Sequence, residues 1–350
     1  MAANNKDYEI IISEIRKKQH IENFLKSSQK TSNYFDDIVL ENNSIPELDF
    51  SEIDPSRIFL NKKSDYPVII NAMTGGFDEA LDINRNLALL AKEFNIPIAV
   101  GSQSLGIRGI GVDSYKIVRD TLENGTVISN LSANTDPEKA ELAVEMINAD
   151  ALQLHLNVAQ EMCMREGDRE FKGILKNIEG IAKNISVPVI VKEVGFGVSK
   201  KSAKRLFDIG IRYIDVGGRG GTNFIEIEDL RNDEIDFSDF YNWGIPTPLS
   251  LIECVKTNPG LNVISSGGIR KAEDAVKSLC MGSKMVAISG VILKMLLLNG
   301  YGQSEKFLYE FLYKFKILML LTGSHTVDDL ENVDVFIKGN LKDLINTKSY

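Results

Sequence analysis

Short apolar runs recur along the chain, each closing on small or polar residues and each followed by apolar positions at helical spacing. Pro67-Val68-Ile69-Ile70-Asn71-Ala72-Met73 is the first and ends at Thr74-Gly75-Gly76. Leu81, Leu87, Leu90 and Ala91 then predict a helix over 79–93. The second run spans Pro97 to Gln103, with a helix expected at 114–123, and the third spans Thr126 to Asn130. Asp136-Pro137-Glu138 opens the next helix with a cap residue, a proline in the first turn and an acid beside it. Ala151 to Asn157 is the fourth run, a helix is expected over 171–184, and Pro188 to Val194 is the fifth, with Ser199 capping the helix after it. Tyr213 to Val216, Asn262 to Ile264 and Lys284 to Gly290 complete the set. Such runs suit strands buried on both faces, and about eight strand–helix units predict an α/β fold of the closed (β/α)8 TIM-barrel type. An open doubly wound sheet would be expected to carry G-x-G-x-x-G after its first strand, where Thr74-Gly75-Gly76 stands instead.

The flanks differ from this alternation. Residues 7–30 read as a helix carrying Arg16-Lys17-Lys18-Gln19-His20, which is either a solvated face or a clamp on a charged group. Residues 31–66 read as irregular, with too little apolar content for a separate core. The expected division is therefore an N-terminal extension, 1–66, and a barrel, 67–350, with a last helix from Gln303 to Thr322. Asn223 to Ile245 reads as a long polar loop over the strand C-termini, where lids occur.

Composition narrows the function. The chain has 350 residues, 43% hydrophobic and 25% charged, enough for a large core, and its net charge of −9 argues against nucleic acid or an anionic membrane as partner. Cys163, Cys254 and Cys280 are scattered without metal-ligand spacing, as expected of reduced thiols in a cytoplasmic protein. The start, Met1 to Lys6, lacks the apolar stretch of a signal peptide, and no run approaches a membrane span.

Candidate chemistry lies at the ends of the runs. Gly217-Gly218-Arg219-Gly220-Gly221-Thr222-Asn223 and Ser265-Ser266-Gly267-Gly268-Ile269-Arg270 are glycine-rich turns late in the alternation. That is where barrels bind phosphate on bare backbone N–H groups and helix N-termini. In Leu152-Gln153-Leu154-His155-Leu156-Asn157 the leucines alternate with Gln153, His155 and Asn157, which places the polar set inside the barrel. Gln160-Glu161 follows, and Glu161 could hold Mg²⁺. Lys192 closes an apolar run and needs an anionic partner: an Asp or Glu, a reduced flavin, or a Schiff-base substrate. Asn71 to Gly76 and Gly101 to Ser104 would let a flat ring lie across the mouth.

Taken together, these motifs resemble the type II, FMN-dependent isopentenyl diphosphate isomerases. The residues that carry the likeness are Arg16-Lys17 with His20, Phe35-Asp36-Asp37, Asn71 to Gly76, Gly101-Ser102-Gln103, Leu152 to Glu161, Val191 to Gly195, Gly217 to Asn223, Trp243 to Thr247 and Ser266 to Arg270. They run from about residue 14 to about residue 345 in order. The resemblance implies a TIM barrel that forms homotetramers or homo-octamers. It implies FMN kept reduced by NAD(P)H, Mg²⁺, and conversion of isopentenyl diphosphate to dimethylallyl diphosphate without net redox change.

Carried over by position, the resemblance puts FMN on Ala72, Met73, Thr74, Ser102, Asn130, Lys192 and Thr222, with its phosphate on Gly267, Gly268, Arg270, Ala287 and Ile288. Substrate would meet Arg16, Lys17, His20, Ser102, Gln103, Ser104, His155, Asn157 and Gln160, and Mg²⁺ would sit on Glu161. Gln160, Glu228, Asn157 and His155 form the implied catalytic set, with Glu228 matching an acid expected to relay protons and reduced flavin as the acid–base. Ser104 departs from the family's usual basic residue, with Arg108 the nearest cation downstream, and Glu41-Asn42-Asn43-Ser44 departs from a histidine-containing stretch. An FMN-dependent oxidoreductase on the same barrel is the competing reading, and it should show a catalytic His or Cys in a late loop. His325 lies beyond the barrel and Cys254 lies within a helix. A flavin-binding sensor or scaffold would not need Arg16-Lys17, Gln160 or Glu161.

Overall fold

Eight parallel strands close into a barrel in the computed structural model, which describes residues 2–27 and 32–347. They are β1 (Val68–Ile70), β2 (Ile98–Ala99), β3 (Val127–Ser132), β4 (Ala151–Leu156), β5 (Val189–Glu193), β6 (Tyr213–Asp215), β7 (Asn262–Ser266) and β8 (Met285–Ile288). Six fall inside the apolar runs of the sequence, while β3 continues past Asn130 to Ser132 and β7 past Ile264 to Ser266. Pairing follows chain order, and β8 closes on β1 with Val286 opposite Val68.

Helix α1 (Ala2–Lys26) precedes the barrel. The outer ring contains α2 (Asp78–Glu93), α3 (Asp113–Leu122) and α4 (Pro137–Met146). After β4 come the short α5 (Val158–Cys163) and then α6 (Ile174–Asn184), followed by α7 (Lys200–Asp208). After β6 come the short α8 (Phe224–Asp229) and then α9 (Thr247–Val255). Last are α10 (Ala272–Cys280), α11 (Gly290–Asn299), α12 (Tyr301–Leu321) and α13 (Gly339–Asn346). Ser199 caps α7 as expected, accepting the Ser202 N–H at 3.2 Å. Asp136 instead takes the Lys139 ammonium at 2.6 Å, so α4 starts on Pro137 without a side-chain cap.

The outward strand residues, Leu152 and Leu154 among them, pack fully buried against the helices. Burying one such side chain contributes roughly 1.5–3 kcal/mol. The inward residues form layers. Ile69, Ile128, Ala151, Ile190 and Ile264 make an apolar floor. Two residues further along the same strands stand Asn71, Asn130, Gln153, Lys192 and Ser266, all buried and polar. Because side chains return to one face every second residue, the floor and the polar layer follow from a single register.

The segment 31–66, expected to be irregular, has structure of its own. Arg57–Phe59 and Lys62–Ser64 form an antiparallel hairpin. Its Phe59 and Leu60 plug the barrel floor, with Phe59 edge-on to Tyr213 at 6.2 Å. Ile38–Leu40 pairs antiparallel with Val335–Ile337, tying the start of the chain to its end. Phe35 is fully buried, and Asp37 accepts the Leu341 N–H, so Phe35-Asp36-Asp37 anchors this junction. Strands of three residues are too short for a period to show. The helix expected to residue 30 is described to Lys26, and residues 28–31 lie outside those described. The loop expected from Asn223 to Ile245 begins with α8, capped by Asn223.

Candidate active site

A cavity of about 1010 Å³ opens at the C-terminal ends of the strands. This is the end at which (β/α)8 barrels carry their chemistry. Residues of β3, β4, β5, β7 and β8 and of the loops after β1, β2 and β4 to β8 supply its base and sides. Arg16, Lys17, His20 and Phe24 of α1 line it as well.

The base is a connected polar layer. Asp215 Oδ2 accepts Asn71 Nδ2 at 2.7 Å and Gln153 Nε2 at 3.4 Å, and it lies 3.3 Å from Lys192 Nζ. Asp215 Oδ1 accepts Ser266 Oγ and, at 3.2 Å, the Gly217 N–H. Lys192 therefore has its anionic partner within the protein while still lining the cavity. Next in the layer, Asn130 Nδ2 donates to Gln153 Oε1 at 2.8 Å, and Asn130 Oδ1 lies 3.0 Å from His155 Nδ1. Burial pushes the His155 imidazole down to about 4, helped by the positive charges of Lys192, Lys17 and Arg16.

One side of the cavity is a glycine cradle. Gly267 and Gly268 have φ of 105° and 84°. A Cβ on Gly267 would meet Gly218 O at 2.1 Å, and one on Gly268 would meet Gly220 O at 2.2 Å. Only glycine allows both the left-handed backbone and this contact between turns. Arg270 locks the turns by donating to Gly220 O at 2.7 Å. Thr222, Ala287, Ala72, Met73, Thr74 and Ser102 line the same cavity. Ile288 does not: its side chain is buried in the core between the barrel and the outer helices.

Another part of the lining carries cations. Lys17 Nζ donates to Gly75 O at 2.6 Å, Ser102 O at 2.9 Å and Tyr115 Oη at 2.9 Å. Burial lowers Lys17 to about 7, with Arg16 adding repulsion and Glu14 opposing it. Arg16 lines the cavity 4.0 Å from Glu166. His20 Nε2 lies 2.8 Å from Glu228 Oε1, which also accepts Gln160 Nε2 at 2.8 Å. Arg231 clamps this group from behind, reaching Glu228, Glu166 at 2.7 Å and Gln19 at 2.9 Å. Burial opposes ionisation of Glu228, but the hydrogen bonds from His20 and Gln160 and the Arg231 charge prevail, and its carboxyl sits below the usual range.

Besides Ile288, two further expected site residues are displaced from the cavity. Glu228 is buried behind Gln160 and His20 and does not line it. Gln103 is fully buried and turned away: its Nε2 donates to Ala143 O at 2.9 Å, and its Oε1 accepts Ser129 Oγ and the Asn130 N–H. Gln103 thus fixes the end of β3, on which Asn130 sits, and has no polar atom left for a ligand. Ser104 and Arg108 both line the cavity, as do Asn157, Gln160 and Glu161. Glu161 accepts Asn157 Nδ2 at 2.6 Å and the Asp168 N–H at 2.8 Å, and burial raises its carboxyl despite those bonds. Among the described residues no cluster of three His, Cys, Asp or Glu side chains is placed to hold a metal.

Residues 119–336 match the family profile described as FMN-dependent dehydrogenase. Over nearly its whole length the chain is similar to proteins named isopentenyl-diphosphate delta-isomerase. It is 43% identical to that of Bacillus licheniformis over 332 residues, covering 93% of each chain. It is 38% identical to that of Staphylococcus epidermidis over 336 residues, covering 96% of each. The chain belongs to the isopentenyl-diphosphate delta-isomerase family.

Solved structures similar to this family member include mandelate oxidases. A mandelate oxidase with a difluorinated phenylpropionic acid superposes with a TM-score of 0.67 at 15% identity, covering 91% of this chain and 95% of that one. A mandelate oxidase variant with an FMN monooxide adduct gives 0.65 at 15% identity, covering 92% of each. At that identity the likeness establishes the TIM-barrel fold. The loops after β6, β7 and β8 of this isomerase-family chain contain no histidine or cysteine. His325 is exposed beyond the barrel, and Cys254 is buried with Sγ toward Val198 O. The residues missed in the sequence are Asp215, Arg231, Glu166 and Tyr115. Asp215 had a signal, since an acid inside the apolar run Tyr213-Ile214-Asp215-Val216 is costly unless paired, and Lys192 needed such a partner.

Proposed function

We propose that the chain moves the double bond of isopentenyl diphosphate to give dimethylallyl diphosphate, as the names of its relatives indicate. One observation carries this reading: α1 brings Arg16, Lys17 and His20 onto the cavity that the glycine cradle bounds elsewhere. A single cavity thus has two places suited to phosphate. One is built of backbone and Arg270, the other of side-chain cations. An FMN phosphate on Gly267, Gly268 and Arg270 and a substrate diphosphate on Arg16, His20, Ser102 and Ser104 would use both, with Lys17 turning its ammonium to the diphosphate from Gly75 O, Ser102 O and Tyr115 Oη. In this reading residues 1–66 form an extension that completes the substrate site, and Arg108 is placed to supply charge beside Ser104.

The reaction adds a proton at one carbon of the alkene and removes one from another, so electrons balance without an oxidant. Bound FMN in its reduced form supplies an electron-rich ring with a proton-bearing nitrogen. The chain's own residues do the rest. Lys192, tethered by Asp215, sets a positive charge at the cavity base. Asn157 and Gln160 present amides to the reacting end, and Glu228 holds Gln160 in place. Phe24 and Ile21 of α1 close over the site and exclude water from a carbocation-like transition state.

Glu161 is a lone carboxylate, which does not make a closed metal site by itself. It fits Mg²⁺ that completes its shell with water and substrate phosphate. NAD(P)H would serve as reductant in solution. A cytoplasmic setting fits three buried cysteines that are unpaired, and the proposed assembly is a homotetramer or homo-octamer. Among the described residues no helix is long and apolar enough to cross a membrane.

Anaerobic assay with FMN, a nicotinamide reductant, Mg²⁺ and isopentenyl diphosphate tests the proposal. Dimethylallyl diphosphate is expected only with reduced flavin, and EDTA should suppress it. The fold shared with mandelate oxidases favours one second reading, oxidation of a 2-hydroxy acid. Flavin reduction by such an acid would support it.

A further inference from the structure

The hydrogen bonds of the polar layer have a fixed direction, and it ends on a histidine. Five donors converge on Asp215: Ser266 Oγ, the Gly217 N–H, Asn71 Nδ2, Gln153 Nε2 and Lys192 Nζ. A carboxylate has no hydrogen to give, so each of these groups must donate. The Ala72 N–H, also an obligate donor, points at Asn71 Oδ1 at 2.9 Å, which independently fixes the Asn71 amide. Gln153 Nε2 therefore faces two acceptors, Asp215 Oδ2 at 3.4 Å and Asn71 Oδ1 at 3.2 Å. Its Oε1 is left for Asn130, which must present Nδ2 at 2.8 Å. Asn130 then offers only its Oδ1 to His155 Nδ1, 3.0 Å away. The imidazole must carry its hydrogen on that nitrogen.

We propose that Asp215 is a positioning residue that, through Gln153 and Asn130, holds His155 as the Nδ1–H tautomer and leaves its Nε2 free of hydrogen. Every link is buried: Asp215, Gln153 and Asn130 are 1%, 2% and 3% exposed. Reversing one link would set two donors or two acceptors face to face at positions almost closed to solvent. His155, as a neutral ring, then meets a ligand as an acceptor and must gain a proton before it can donate to a deprotonated phosphate. The tautomer itself does not depend on which ligand binds, so it can be tested apart from the isomerase reading.

The test is nitrogen NMR of the full chain labelled with ¹⁵N-histidine, without substrate, at pH 7.5. Only His20, His155 and His325 contribute signals, and His20→Gln and His325→Gln variants assign them by loss. The expected wild-type result is neutral His155 with Nδ1–H dominant by about ten-fold or more, since the other tautomer leaves buried lone pairs opposed. Gln153→Met breaks the relay between Asp215 and Asn130 and is expected to return a large share of Nε2–H. If that variant does not fold by circular dichroism, Asn130→Ala cuts the next link with the same expectation. A wild-type spectrum showing Nε2–H or a charged ring would overturn the proposal. So would an unchanged tautomer in a folded Gln153→Met or Asn130→Ala protein.

Discussion

Gln160 lines the cavity with its amide held from behind by Glu228, whose Oε1 lies 2.8 Å from Gln160 Nε2. The same oxygen takes His20 at 2.8 Å, and the other takes Arg231. Glu228 thus acts on the site through two residues that touch the cavity while itself lying outside it. Glu228→Gln keeps the shape but removes the charge that orders both neighbours. We expect kcat to fall on the order of 10²-fold, the cost of misplacing a reacting group by about an ångström. KM for isopentenyl diphosphate should change far less, because Arg16 and Lys17 remain. Steady-state kinetics of the FMN-loaded variant checks this, and an unchanged kcat would remove Glu228 from the account.

Lys17 gives a pH dependence with a definite sign. Its folded value of about 7 lies below the ordinary 10.5 because of burial. Between those values the unfolded chain binds the proton more fully than the folded one, so the cost of burying the charge is present below about 7 and is relieved as pH rises. Anion binding favours the charged form and should weaken across the same window. Inorganic pyrophosphate affinity, taken as the ratio of wild type to Lys17→Arg to cancel the titration of pyrophosphate, should drop between pH 7 and pH 9. A flat ratio would contradict the burial of Lys17.

How much of this was legible in the residues depends on the range of each signal. The eight strands were, because each is a continuous apolar run and the period places Gln153 and His155 inside and Leu152 and Leu154 outside. The pairing of Ile38–Leu40 with Val335–Ile337 was not, since three-residue strands from opposite ends carry neither period nor turn. Gln103 and Glu228 were assigned by position, which identifies a residue but not the side its polar atoms face. Gln103 turns its amide to α4 and Asn130, and Glu228 turns to His20, Gln160 and Arg231. The Asp215 network joins Asn71, Gln153, Lys192 and Ser266 from four other strands, and only barrel closure brings them together.

The glycine cradle predicts a cofactor defect that is local. Gly268→Ala would place a Cβ 2.2 Å from Gly220 O at a φ of 84°. The left-handed strain alone is about 1–2 kcal/mol, and relieving the contact must separate the two turns. FMN affinity should fall at least about ten-fold, with far-ultraviolet circular dichroism unchanged. Flavin fluorescence titration reads the change, and wild-type affinity in the variant would place the FMN phosphate elsewhere.

His155 adds a second pH window. Its imidazole is held down to about 4 from the ordinary 6.5, first by burial and then by Lys192, Lys17 and Arg16. Above about 6.5 both folded and unfolded rings are neutral. As pH falls toward 4 the unfolded ring takes a proton that the folded ring resists, and stability is lost. Thermal melts of ligand-free His155→Gln should lose part of the wild-type decline between pH 6.5 and pH 4. Equal slopes in the two proteins would show that His155 is not held neutral.

Isomerisation in a cavity that takes both a flavin phosphate and a substrate diphosphate can be followed directly. Its most direct measurement is anaerobic incubation of purified protein with FMN, NADPH, Mg²⁺ and isopentenyl diphosphate, following dimethylallyl diphosphate and NADPH together. Product is expected in large excess over NADPH consumed, because the flavin is reduced once and reused. NADPH loss in step with a reduced product would contradict it, and so would flavin-loaded, folded protein that forms no dimethylallyl diphosphate.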